Sequence, residues 1–396
     1  MEFLNLAIWL VLAVSILTIL TFSFYPVIAL LLSFISRAGD SSLDENLFPS
    51  VTVLIVVRNA EDLLQSKIVN SLALDYPEEK VQVVVVSDGS DDNTVLIAQN
   101  ITNERVVLFI QQDHCGKSAA INNFIHECTG DIIIFSDVDA VLNSDAVSKL
   151  IDHFKYSDVG GVCGQRVIKS DLTKITKPQK DYIKVDSLIK TLENRSGSIT
   201  SNDGKLFAIR KELFCSIEDG VTDDMFVMLS VVKQGYRFLF EPDAIAYICT
   251  PSRSNKHEIE RRRRITTGSI RGILYNKVLL NPGKYGFYSL KLLINKILRR
   301  LMPVCLIAIF FSSLILSLSH TLMLTFVLAQ AAFYLFAVLY PLLFQSIKKD
   351  TLFTKVSAVL WYFCLGNYGQ LLGLIDCILK KTVTKWDPRK DDTKII

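Results

Sequence analysis

Two carboxylates one residue apart stand directly behind an apolar, β-branched run: Phe135-Ser136-Asp137-Val138-Asp139. At i and i+2 on a strand they point to the same side. Together they can hold one hard divalent cation that also takes oxygen ligands from a diphosphate. Two like charges side by side gain nothing structurally, so metal binding is the favoured reading. A second acidic site, Ser87-Asp88-Gly89-Ser90-Asp91-Asp92, closes another apolar run. Asp88 suits a ribose or base contact in a nucleotide pocket, although Ser, Asp and Gly would serve equally as a turn and helix cap. Between the two lies Gly116-Lys117-Ser118-Ala119-Ala120-Ile121-Asn122. Its lysine either reaches a phosphate or sits solvated in a first helical turn. Gln111 stands where a Walker A loop needs its first glycine, which excludes a P-loop ATPase.

Further on, Thr222-Asp223-Asp224 opens a helical pattern in which Met225, Met228, Leu229 and Val232 share one face and Gly235 is the stop. Acidic residues there complement the helix dipole; the chemical reading of Asp224 is a general base. The consecutive arginines Arg261 to Arg264 can meet either anionic lipid or a pyrophosphate leaving group.

These residues need a scaffold that brings them together. Short β-branched runs at 51–57, 81–87, 106–110 and 132–136 alternate with helical patterns at 61–72, 92–99 and 117–127. Near-continuous apolar strands separated by helices predict a parallel sheet covered on both faces, with ligands outside the carboxyl ends of its strands. The chain is 50% hydrophobic, yet residues 3–36, 301–347 and 356–375 hold no Asp, Glu, Lys or Arg. Segregation of that kind predicts an integral membrane protein carrying a soluble domain. A net charge of +3 leaves no footprint for nucleic acid. The eight cysteines are scattered without metal spacing and read as free thiols.

The expected organisation is a membrane helix over 1–36 with a kink at Tyr25-Pro26, and a catalytic domain over 37–280. An amphipathic interface helix follows over 281–300, with Lys291, Lys296, Arg299 and Arg300 around an apolar face. Membrane or interfacial helices occupy 301–379, turning at Ser319-His320-Thr321, and a basic tail fills 380–396. Arg37 after the first helix and Lys348-Lys349 after the hairpin place the domain in the cytoplasm. The glycines at 366, 369 and 373 leave open whether 356–375 spans or lies re-entrant.

The order of motifs (Asp-Gly-Ser, Gly-Lys-x-x-Ala-x-Asn, Asp-x-Asp, Thr-Asp-Asp, an arginine block, then membrane helices) resembles the membrane-integrated family 2 glycosyltransferases. That group contains the cellulose, hyaluronan, chitin and poly-N-acetylglucosamine synthases. The resemblance implies an α/β GT-A (Rossmann-like) cytoplasmic domain plus an α-helical transmembrane region in a bacterial inner membrane, using a UDP-sugar and Mg2+ or Mn2+. It further implies that Asp88 contacts uridine, Lys117 lies near the nucleotide, Asp137 and Asp139 form the metal site, and Asp224 is the base. Arg264 would offset charge on the departing UDP. Asn202-Asp203-Gly204 resembles the acceptor-side segment, and Trp386-Asp387-Pro388-Arg389 a carboxyl-terminal signature of some members.

The sequence also departs from that pattern. Val56-Val57-Arg58-Asn59-Ala60 stands where the family has Pro-Ala-Tyr-Asn-Glu, so Asn59 is kept and Glu61 deputises for the missing acid. In the family's Gln-x-x-Arg-Trp the arginine is kept as Arg264 while Ile265 replaces the acceptor-stacking Trp. Inverting transfer to a growing cell-surface polysaccharide is therefore set against single-sugar transfer to a polyprenyl phosphate or glycolipid, and against an inactive scaffold subunit. Expected partners are the UDP-sugar, a glycan or lipid-linked acceptor, membrane lipids, and a second copy or an export protein.

Overall fold

A computed structural model describes residues 2–35, 48–169, 176–248, 255–344 and 351–381. Arg37, Lys348, Lys349 and the 386–389 signature lie outside them.

The four expected strands form as β1 (Val51–Val57), β2 (Val81–Asp88), β3 (Val106–Gln111) and β4 (Ile132–Phe135), all parallel. Four more had no clear signal in the sequence: β5 (Ala140–Leu142), β6 (Val159–Ile168), β7 (Phe207–Arg210) and β8 (Arg237–Ile248). They extend the sheet to the order β3-β2-β1-β4-β7-β6-β8-β5. β7 runs antiparallel to both β4 and β6, and β5 antiparallel to β8. The strand pleat sorts side chains: Val53, Ile55 and Val57 join the core with Leu64, Ile68 and Leu150, whereas Leu54 packs on the other face with Ile121, Met228 and Leu229. Both faces of the sheet are covered, as the apolar runs require.

Helix Lys117–Phe124 follows β3 and helix Asp223–Lys233 precedes β8. Helix Leu64–Leu72 begins three residues later than expected, and Glu127 belongs to a short 3-10 turn after Phe124.

Outside the sheet the chain is helical. The amino-terminal apolar stretch is two helices, Glu2–Ser23 and Tyr25–Ile35, broken at Phe24. The expected single helix is thus corrected at the predicted kink, where Pro26 has no N–H to continue the ladder. Among the described residues four helices are long and apolar enough to cross a membrane: Asn5–Ser23, Phe287–Leu316, Thr321–Leu343 and Leu352–Ile378.

Two expectations about the carboxyl-terminal region change. The interface segment runs on through a π-helical stretch, Leu293–Leu298, into helix Arg299–Leu316. Its polarity is turned inward: Lys291, Asn295 and Lys296 are buried, while Phe287, Leu290 and Leu293 are exposed. The second change concerns helix Leu352–Ile378, which packs lengthwise on helix Asn255–Tyr275, the carrier of the arginines. Its glycines are the contact surface: a Cβ at Gly369 would lie 2.7 Å from Arg262 Cβ, and one at Gly373 2.6 Å from the Arg263 carbonyl oxygen. Arg263 pairs with Asp376, and Thr267 Oγ1 donates to the Gly373 carbonyl at 3.1 Å. The glycines permit close helix approach to the catalytic domain rather than weakening a helix.

Gly369→Val should therefore lower conformational stability by about 1–3 kcal/mol through overpacking. Gly366→Ala, where the nearest atom is Arg262 Cζ at 3.9 Å, should stay within about 0.5 kcal/mol of the parent. Thermal melts of both variants in detergent check this, and equal shifts would refute the close-packed pairing.

Candidate active site

The site is assembled where parallel β1, β2 and β4 end. Asp88, the last residue of β2, is only 2% exposed. Its carboxylate accepts from Gln111 Nε2 at 2.7 Å, Cys115 N at 2.8 Å and Gly116 N at 2.9 Å, and meets His114 Nδ1 at 2.8 Å. These bonds pin the loop that delivers Lys117. Gly89 permits the arrangement: its φ is +60°, and a Cβ there would sit 2.5 Å from the His114 nitrogen. The neighbouring β1 loop is tied to the same region. Asn59, at φ 50°, accepts from Asp91 N at 2.9 Å, and Glu61 accepts from the Asn93 side chain at 2.8 Å.

Asp137 and Asp139 lie in the turn after β4, which ends at Phe135, rather than on the strand. Their convergence is therefore not a consequence of the pleat. It comes from the turn, closed by Ala140 N on the Asp137 carbonyl at 3.1 Å, and from a shared lysine. Lys205 contacts Asp137 at 2.9 Å and Asp139 at 2.6 Å. Antiparallel β7 brings it there: Phe207 registers with Phe135 and stacks on it at 4.5 Å, placing the preceding loop over the end of β4.

Lys117 bridges the other way, to Asp137 at 2.8 Å and Asp223 at 2.7 Å. Burial alone would raise the Asp137 carboxyl, but Lys117 and Lys205 hold it well below the usual range. Beneath the turn, buried Lys67 donates to Ser136 Oγ and the Ala140 carbonyl, both at 2.6 Å, and burial pulls its ammonium down to about 7. Lys67 and Lys205 were not expected from the sequence, because a lone lysine carries no spacing signal.

Asp224 begins the next cluster. Burial, reinforced by adjacent Asp223, pushes its carboxyl up to about 6. One oxygen accepts from Met225 N at 2.7 Å; a Cβ on Gly204 would approach the other at 3.6 Å. Asn202 Nδ2 donates to the Asp224 carbonyl at 2.9 Å, so the 202–204 segment and the candidate base are neighbours. Asp203 pairs with Arg166 at 3.3 Å.

The arginine block divides. Arg261 and Arg262 bind buried Glu258 at 3.0 and 2.8 Å, and Arg263 binds Asp376. Arg264 alone of the block feels Asp223, Asp137 and Asp224; burial lowers its pKa against their attraction. Half-buried Ile265 follows it. The expected cluster of guanidinium groups on one ligand is corrected: successive helical residues diverge by about 100°, so a single arginine can face the carboxylates. The site thus gathers Lys117, Asp137, Asp139, Asp223, Asp224 and Arg264 into one network. Asp88, Asn59 and Glu61 support its loops.

Among the described residues no third acidic, His or Cys side chain joins Asp137 and Asp139. Two hard oxygen donors at the end of a strand, already bound to an ammonium group, fit a divalent cation whose other ligands come from a bound diphosphate.

A mixed sheet of this order with carboxylates at its parallel strand ends is the GT-A class of fold. Over 94% of this chain and 99% of the other it superposes, at 19% identity and a TM-score of 0.69, on a mannosyltransferase from Pyrobaculum calidifontis solved with GDP-Man and Mn2+. Residues 52–217 match the family described as Glycosyl transferase family 2. Among curated relatives, poly-β-1,6-N-acetyl-D-glucosamine synthase of Staphylococcus aureus (strain MSSA476) is 26% identical over 224 residues, 55% of this chain and 53% of the relative. The Staphylococcus epidermidis synthase is 24% identical over 208 residues, 51% of this chain and 50% of its own. The chain spans about half the length of the curated relatives it matches. The similarity to family 2 glycosyltransferases lies in residues 52–217.

Asp88→Ala should leave the Cys115 and Gly116 N–H groups without their acceptor and cost about 1–3 kcal/mol of stability. Denaturation of the variant measures this, and a variant as stable as the parent would show that the loop is held by other means.

Proposed function

We propose that the protein is an inverting, metal-dependent hexosyltransferase that moves a sugar from a UDP-sugar to a growing cell-surface glycan, with its catalytic domain on the cytoplasmic side of a bacterial inner membrane. The observation that carries this reading is the pairing of two differently tuned carboxylate sites. Asp137 is held ionised beside Asp139, while Asp224 has its carboxyl raised to about 6 and lies against Gly204. Separated pKa values of this kind mark separate roles for like groups. The relatives named as polysaccharide synthases support the glycan acceptor, and the Mn2+-bound fold neighbour supports a divalent ion.

In this reading Asp137 and Asp139 hold Mg2+ or Mn2+, which when bound supplies positive charge to the diphosphate leaving group. Lys117 and Arg264 stabilise the same developing charge. Asp88, Asn59 and Glu61 shape the loops around the nucleotide, with Asp88 at the uridine end. Asp224 removes the proton from the acceptor hydroxyl as that oxygen attacks C1 of the donor sugar from the face opposite UDP, inverting the centre. Asp203, Gly204 and Ile265 line the acceptor side. Ile265 offers apolar contact without a flat stacking face, so the acceptor is held less by ring stacking than in a synthase with Trp there.

A base must be deprotonated to act. Turnover should accordingly rise with pH through a midpoint near 6 and level off above it. Asp224→Asn should lose about 10²–10⁴-fold in kcat together with that rise, while UDP binding stays intact. A pH profile of transfer by both proteins is the check, and unchanged turnover in the variant would overturn the assignment. Asp139→Asn should abolish the dependence of UDP affinity on added Mn2+; titration of UDP with and without the ion reads this directly.

A further inference from the structure

Where the sheet domain meets the long apolar helices, a group of cations forms no ion pair of its own among the described residues. Lys296 is 7% exposed, and its ammonium group meets only the Ser201 hydroxyl, at 2.9 Å, among the described residues. Arg300 Nε donates to Ser269 Oγ at 3.2 Å. Arg299 donates to Tyr182 Oη at 2.9 Å and lies over that ring at 5.2 Å. The three are close enough to repel one another. Asp186, the carboxylate facing Lys296 and Arg299, is bound to Lys190 at 2.9 Å. Lys291, one turn earlier, is different: it is saturated by the Glu193 and Ser198 carbonyls and the Ser196 hydroxyl.

Buried charge without an opposite partner is costly, so such a group is built to receive an anion. Its level in the molecule says which kind. Arg299 also lies over Phe22 at 5.6 Å, next to the end of the apolar helix Asn5–Ser23, and itself opens the apolar helix Arg299–Leu316. That is the depth of a lipid headgroup. On the domain side, Ser201 leads directly into Asn202, whose side chain holds the Asp224 backbone. The cations therefore adjoin the acceptor segment and not the Asp137–Asp139 pair.

We propose that Lys296, Arg299 and Arg300 bind the phosphate of a lipid-linked acceptor, so that the glycan to be extended is presented to Asp224 on a phosphate-bearing lipid. The assignment rests on the transferase reading above for the word acceptor, but binding is measurable without turnover. Full-length protein in phosphatidylcholine nanodiscs should retain a polyprenyl phosphate at least about tenfold more tightly than the matching polyprenol, the value of one charge-assisted contact. Lys296→Gln with Arg300→Gln should erase that preference, and Lys296→Arg should keep it. UDP affinity should stay at the parental value in both variants, and both should still melt cooperatively. Equal retention of phosphate and alcohol would overturn the proposal, as would displacement of the polyprenyl phosphate by phosphatidylglycerol, which marks a general headgroup site. Loss of UDP binding in the double variant would assign these cations to the donor and overturn it too. Absence of sugar transfer with the phosphate preference intact would count against the transferase reading alone.

Discussion

Asp137, held between Lys117 and Lys205, is the contact on which the catalytic domain converges. Each partner arrives on a different piece of chain. Lys117 opens the helix after β3, in a loop fixed by Asp88; Lys205 precedes antiparallel β7; Asp223, sharing Lys117, opens the helix before β8. A partly buried carboxylate must be compensated. Satisfying this one therefore sets the positions of three loops at once, and the loop carrying Lys205 brings Gly204 to Asp224. The Asp137–Asp139 turn and the approach of Gly204 to Asp224 are coupled through a single ion-pair chain.

The half of the fold that the sequence displayed is the half with uniform physics. β1, β2 and β4 are parallel and buried on both faces and β3 is their half-buried parallel edge, so all four read as apolar runs. β6 begins Val159-Gly160-Gly161 and continues through Cys163-Gly164; β8 contains Glu241-Pro242-Asp243; β5 and β7 are three and four residues long. None of these leaves a periodic signal. The glycines of β6 are there for packing: a Cβ on Gly161 would lie 2.4 Å from the Phe238 ring. Carboxylate motifs were legible because acids after an apolar run are conspicuous. The lysines that hold them, Lys67 and Lys205, were not, since only antiparallel pairing and helix burial put them there.

The long apolar helices and their neighbours are more than tethers. Tyr25 donates its hydroxyl to Glu193, whose other oxygen accepts from Thr200 N at 2.7 Å, and Asn295 Nδ2 donates to Thr200 Oγ1 at 2.8 Å. All four residues are buried. Asn295 Oδ1 is the one buried oxygen of these four side chains without a hydrogen-bond partner among the described residues, and the bonds that are made favour one geometry and resist sliding. The first membrane-proximal helix, the junction helix and the segment leading to Ser201 are thereby locked in register. This is why the polar face of the junction helix turns inward, against the expectation drawn from its amphipathic pattern: its partners are in the domain, and Phe287, Leu290 and Leu293 are left exposed.

Helix Asn255–Tyr275 then joins the two sides. Over a single turn its side chains diverge, and each direction meets a different environment. Arg264 is drawn toward Asp223 and Asp137, Arg263 reaches Asp376 on the last helix, and Arg262 lies 5.6 Å from the Tyr182 ring and donates to Tyr362 at 3.0 Å. Tyr182 in turn carries Arg299. A displacement of this helix cannot move one contact alone, because Arg262, Arg263 and Arg264 share its backbone. Charge arriving at the carboxylates and charge arriving at the membrane junction therefore act on the same rigid element.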